Sequence, residues 1–139
     1  MDRVAESLFV STIEDAGKGP ILENHGTETV VSLTHSPPET RFPELVSVRR
    51  VPLTDGPQND RSQFNEAVDV LVSALESGEA VLVHCSRGAS RSPSVAATTL
   101  AITQNIGIKE AFEQVAERRE ACDPHEALVR QAVAVYQEW

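Results

Sequence analysis

The sequence predicts an α/β protein of three layers. A central, mainly parallel sheet of four to five strands lies between helices, and a phosphate-binding loop joins a central strand to the next helix. Three observations carry this. Short apolar runs rich in β-branched residues alternate along the chain with stretches of helical periodicity, the pattern of strands joined through helices. The run Ala80–Val83 is bounded by polar residues and reads as a buried strand. A turn of small and polar residues, His84–Ser92, follows it directly and runs into Pro93 and a helical stretch, Val95–Gln104. A chain of 139 residues suffices for one domain, 1–139, with one sizeable core.

The elements follow in order. Leu8-Phe9-Val10 is a short strand candidate. Ile13–Glu23 is a poor helix, with apolar positions at Ile13, Ala16 and Leu22 and a break around Gly19-Pro20. Thr29–Leu33 is a better strand. Pro37, Pro38 and Pro43 make the next stretch a loop, because neither periodicity survives them. Leu45–Leu53 reads as a third strand, and Thr54–Asp60 is a polar loop around Gly56-Pro57. A helix from about Ser62 to Glu76 buries one stripe, Phe64, Val68, Leu71 and Leu75, and Gly78 ends it. After the central strand and its turn, Ile108–Glu120 is amphipathic through Ala111, Phe112 and Val115. A last helix opens at Asp123-Pro124-His125-Glu126, with Asp123 as the cap, and carries the stripe Leu128, Ala132, Val135, Tyr136 and Trp139.

Composition excludes several classes. Net charge is −9, from 21 acidic and 12 basic residues, which disfavours nucleic acid as a partner. Only Lys18 and Lys109 are lysines, a balance open to a salt-adapted source or an ordinary acidic protein. No run approaches the ~18 apolar residues of a membrane span. Two cysteines, and an N-terminus without the pattern of a signal peptide, lead us to expect a cytoplasmic protein. His25, His35 and His125 are scattered, so no metal ligand set is visible.

The turn from His84 to Ser92 is suited to an oxyanion. Backbone N–H groups of a small-residue loop form an anion-binding nest, and Gly88 permits unusual φ. The following helix adds the positive end of its dipole. Arg91 offers a planar fork of donors that matches two phosphate oxygens. Cys85 lies under the same positive field, which favours the thiolate and aims a nucleophile at phosphorus.

The motif His-Cys-x5-Arg-Ser over His84–Ser92 resembles the signature of cysteine-based protein tyrosine phosphatases, and in a chain of this length the dual-specificity phosphatase family. Leu-Phe-Val-Ser near the start and Glu110–Pro124 are similar to that family's first strand and penultimate helix. The resemblance implies hydrolysis of phosphotyrosine, and of phosphoserine and phosphothreonine, in proteins through a phosphocysteine intermediate. It implies no cofactor, and we expect a monomer. Cys85 is then the nucleophile. The N–H groups of Ser86, Arg87, Gly88, Ala89, Ser90 and Arg91, with the Arg91 side chain, cradle the phosphate.

The resemblance also assigns a loop Asp, after a Pro-containing strand end, as general acid. Asp55, 30 residues before Cys85 and following Val51-Pro52-Leu53-Thr54, fits that place. It is alternatively a turn residue beside Gly56. Asp60 is the second candidate, although its spacing to Gln63 suits a helix cap. By the same resemblance His84 positions the thiol, or it is a hydrogen-bonded core histidine. Ser92 stabilises the leaving thiolate, or caps the helix. Arg87 steers an anionic substrate, or is an exposed charge. Cys122 reads as a packed small residue rather than a redox partner of Cys85.

Other readings of the loop remain open at this level: a phosphoinositide or RNA 5′-phosphate phosphatase, a phosphate-binding module, or a sulfur-transfer enzyme. The last does not explain an upstream acid.

Overall fold

The structure, a computed structural model, describes residues 1–139. Five strands form one sheet: β1 (Asp2–Ala5), β2 (Leu8–Ser11), β3 (Thr29–Ser32), β4 (Ser47–Arg50) and β5 (Val81–His84). The order across the sheet is β1-β2-β5-β3-β4, with β1 antiparallel to β2 and every other pair parallel. Six helices connect them: α1 (Ile13–Ala16), α2 (Gly19–Asn24), α3 (Arg61–Glu76), α4 (Arg91–Thr103), α5 (Ile108–Arg118) and α6 (Glu126–Glu138). No helix is long and apolar enough to cross a membrane.

Alternation along the strands sorts the core into two layers. Phe9, Val30 and Leu82 share one face and pack with Ala16 and Leu22 of the short helices α1 and α2. Leu8, Val10, Val31, Val81 and Val83 face the opposite way, into the larger cluster that α3 to α6 complete. β5 lies between β2 and β3 and is buried along its whole length. That accounts for its nearly continuous apolar sequence. Helix α4 is buried from Ser92 to Ala101, between α3, α5 and α6. Thr98 and Thr99 sit inside it by donating to the carbonyls of Ser94 and Val95, one turn back, at 2.8 and 2.9 Å.

Several expectations are corrected. β1 was not anticipated: only Val4 of its four residues is buried, so its sequence carries no alternation. The third expected strand is shorter than Leu45–Leu53. Beyond Arg50 the chain still donates from Val51 to Ser32 and from Leu53 to Leu33, but Pro52 between them has no N–H. The last helix is capped by His125, whose Nδ1 accepts from the Ala127 amide at 2.9 Å, and not by Asp123. Its buried stripe ends at Val135, with Tyr136 half-buried. Trp139 is exposed and donates from its indole N–H to Asn65. At α3, Asp60 is the cap, and its amide donates to Gln63 Oε1 at 2.9 Å.

Candidate active site

The loop Cys85–Ser90 leaves the carboxyl end of β5, where α/β sheets bind ligands, and enters α4. Each of its six carbonyls is held from outside. Cys85 O accepts from His84 Nδ1 (3.0 Å), Ser86 O from the Ile13 amide (3.0 Å) and Arg87 O from Arg119 Nη2 (3.1 Å). Gly88 O accepts from Arg119 Nε (2.6 Å), Ala89 O from the Asp123 amide (2.7 Å) and Ser90 O from the Ser94 amide (3.0 Å). No peptide bond is cis, so in each unit the next residue's N–H points opposite the carbonyl. The amides of Ser86 to Arg91 therefore point away from these partners, and none of them donates to a protein atom. Six backbone donors without a protein partner, at the N-terminus of α4, form a nest suited to an anion.

Arg119 was missed by the sequence reading, which placed it inside a helix running to Glu120. The helix ends at Arg118, and Arg119 is 6% exposed, with its third contact an ion pair to Asp2 at 2.9 Å. A signal was present, since Arg119 lies four residues beyond Val115 and continues the buried stripe of α5. Gly88 is required where it stands. Its φ is +65°, and a Cβ there would press on the Arg119 guanidinium and on the Ser11 carbonyl.

Cys85 is 2% exposed at the floor of this nest. Its Sγ lies 3.1 Å from Ser92 Oγ and accepts from the Ser92 amide at 3.4 Å. Ser92 does not cap α4: Ser90 holds the cap position, and the Ser92 hydroxyl is buried against sulfur. Pro93 accordingly sits third in the helix rather than first.

His84 is fully buried, and burial, with Arg91 and Arg50 nearby, lowers its pKa to about 4 against the opposing hydrogen bond to Cys85 O. The ring is neutral at pH 7, and its two contacts assign the tautomer. Nδ1–H donates to Cys85 O, and Nε2 accepts from the Ser32 hydroxyl at 2.8 Å. A histidine pKa depressed on folding stabilises the fold fully above its unfolded value, and that contribution is lost as pH falls toward the folded value. Between pH 6.5 and 4 the native chain should lose on the order of 3 kcal/mol more stability than His84→Asn, which keeps a donor near Nδ1 but cannot titrate. Denaturant melts across that pH range measure the difference, and parallel curves would exclude His84 as the group responsible.

Arg91 opens α4 and is braced by two bonds, Nη1–H to Leu53 O and Nη2–H to the Ser86 hydroxyl, each 3.0 Å. Its remaining N–H donors are left for an anion. Asp55, from the loop after Leu53, faces the same cavity of about 270 Å³, which Cys85, Ser86, Arg87, Ala89, Ser90, Arg91, Asp123, Pro124 and His125 also line. Ser90 Oγ accepts from the His125 amide at 2.7 Å, so its proton goes to Asp55 Oδ1 at 2.6 Å. A proton on Asp55 then belongs on Oδ2. Asp60 is not in the cavity. Arg87 is exposed at its rim.

Cys122 is half-buried against the main core. Burial first, and Asp123 second, push its thiol up against the opposing pull of Arg119. No three His, Cys, Asp or Glu side chains converge as a metal site.

Comparison with known proteins places the chain in a family. The sequence profile described as dual specificity phosphatase, catalytic domain, matches residues 8–138. Dual specificity protein phosphatase 1-A of Xenopus laevis is 30% identical over 125 residues, 89% of this chain and 34% of the relative. Human dual specificity phosphatase 28 is 30% identical over 124 residues, 88% of this chain and 70% of the relative. The chain spans about a third of the length of the first of these relatives. The crystal structure of human DUSP28 superposes with a TM-score of 0.89 at 27% identity, covering 99% of this chain and 96% of that one.

Proposed function

Because the chain belongs to the dual-specificity phosphatase family, we propose that it is a cysteine-dependent protein phosphatase, hydrolysing phosphotyrosine and phosphoserine or phosphothreonine through a phosphocysteine. The observation that carries this is the set of six outward-held loop carbonyls, whose amides are left without a protein partner in the loop that begins at Cys85. Cys85 Sγ attacks phosphorus, forming the S–P bond as the P–O bond to the leaving group breaks. Asp55 gives its Oδ2 proton to that departing oxygen. The nest and Arg91 hold the three equatorial oxygens, whose charge the loop dipoles stabilise. Water then attacks the phosphocysteine, giving a proton back to Asp55. The S–P bond breaks, and the Ser92 hydroxyl stabilises the released thiolate. His84 acts through Cys85 O and is a positioning residue, while Arg87 steers the anion from the rim.

On this reading residues 1–139 act as one catalytic domain, cytoplasmic and monomeric, with phosphorylated protein as partner and no part for nucleic acid. The charge of −9 supports the last point. Leu45 and Trp139 are the only large apolar residues exposed, which supports a monomer.

Asp55→Asn tests the assignment of the acid. Asparagine still accepts from Ser90, so the loop is held and only the proton is lost. An aryl phosphate with an acidic phenol needs little protonation and should lose activity by less than about threefold. A phosphotyrosine peptide, with a phenol pKa near ~10, should lose ~10²-fold or more. If Asp60→Asn shows this split and Asp55→Asn does not, the acid is Asp60.

A further inference from the structure

The loop that carries Asp55 is closed on itself by one side chain. Asn59 Oδ1 accepts from the Thr54 amide and its Nδ2 donates to Thr54 O, both at 2.7 Å, so the side-chain amide pairs with Thr54 as a neighbouring strand would. Asn59 Nδ2 also donates to Gln131 Oε1 on α6 at 3.1 Å. Gln131 returns a bond from Nε2 to Gly56 O at 2.9 Å. Asp55 is thereby flanked by two residues whose backbone is held from outside.

Helix α6 is also fastened to the phosphate loop. The amide of its cap, His125, donates to Ser90 Oγ, and the Asp123 amide just before it donates to Ala89 O. One helix and its lead-in thus hold both the acid loop and the loop that bears the nucleophile.

We infer that Asn59 and Gln131 are positioning residues that keep the Asp55 carboxyl at its working distance from the phosphate nest. This rests on the proposed role of Asp55 as general acid. Neither side chain lines the catalytic cavity, and every hydrogen bond of the Asn59 side chain goes to the acid loop or to α6. The acid loop in this chain is therefore held by side-chain bonds that need no substrate. A misplacement on the order of 1 Å can cost ~10²-fold in rate, so loosening the loop acts on the proton transfer and spares the sulfur attack.

The test uses the full chain with Asn59→Ala, Asn59→Asp and Gln131→Ala, each assayed on a phosphotyrosine peptide and on an aryl phosphate with an acidic phenol. Gln131→Ala puts a strong helix former into α6, so it remains measurable if the Asn59 variants do not fold. Asn59→Asp keeps the acceptor for Thr54 but turns a carboxylate toward Thr54 O and Gln131 Oε1. The peptide rate should fall roughly 10-fold or more for both Asn59 variants and about threefold to 10-fold for Gln131→Ala. The aryl phosphate rate should stay within about twofold.

A purely structural role lowers both substrates equally, by the fraction unfolded, and that outcome overturns the inference. So does an unchanged ratio with unchanged rates. Asp55→Asn run alongside separates the two claims. A split there, with none in the clamp variants, overturns the clamp alone. No split there overturns the acid assignment and the clamp with it.

Discussion

Cys85→Ser is expected to lose turnover entirely while keeping, or improving, its affinity for an oxyanion. The nest is made of backbone amides whose carbonyls are fastened by Ile13, His84, Ser94, Arg119 and Asp123, and none of these bonds uses the Cys85 side chain. Ser92 lies close enough to bond a hydroxyl in place of sulfur. A serine hydroxyl has no base beside it and is not ionised here, so no nucleophile remains. Hydrolases that lose their nucleophile drop by on the order of 10⁶-fold, so activity should reach background. A hydroxyl is also smaller than a thiol, so it leaves the amide donors clear for the oxygens of the ligand. Calorimetric titration with tungstate should therefore give a Kd equal to or below that of the parent. Hydrolysis retained in this variant would sink the phosphocysteine mechanism, and lost tungstate binding would mean that the nest depends on the thiol.

Arg91→Lys should lose about 10²–10³-fold although its charge is kept, the size of loss seen when one oxyanion donor is removed. The guanidinium spans Leu53 O and Ser86 Oγ with two of its N–H groups while presenting the others to the cavity. An ammonium is a point of three donors on a flexible stem, and cannot brace both neighbours and grip two phosphate oxygens in one plane. Leu53 precedes the acid loop, so the lysine variant also unties the nucleophile loop from the strand end that leads to Asp55. Steady-state rates on an aryl phosphate with an acidic phenol isolate the loss of phosphate grip from any effect on the acid. A rate within twofold of the parent would mean that Arg91 does not meet the phosphate.

Some of this was legible because it is local. Strand β5, the turn and α4 are contiguous, and the residues that give the turn its chemistry lie within His84–Ser92. Helix α3 was legible from one apolar stripe and its Asp60–Gln63 cap, both properties of a single segment. β1 was not, because an edge strand with one buried residue takes its conformation from pairing with β2. The α6 cap was misassigned because the helix starts two residues later: the Asp123 amide is held at Ala89 O, 34 residues away along the chain, and His125 Nδ1 takes the capping bond.

The proposed reacting groups could thus be named from the sequence: a cysteine, an arginine six residues on and, through the family resemblance, an aspartate on an upstream loop. Their working geometry was decided by the tertiary structure. The direction in which the loop amides point depends on donors at Ile13, Arg119 and Asp123, and the place of the Asp55 loop depends on Gln131 as well as on its own Asn59. Such contacts leave little trace in a sequence, because a hydrogen bond between distant residues constrains their positions in space and not their spacing along the chain.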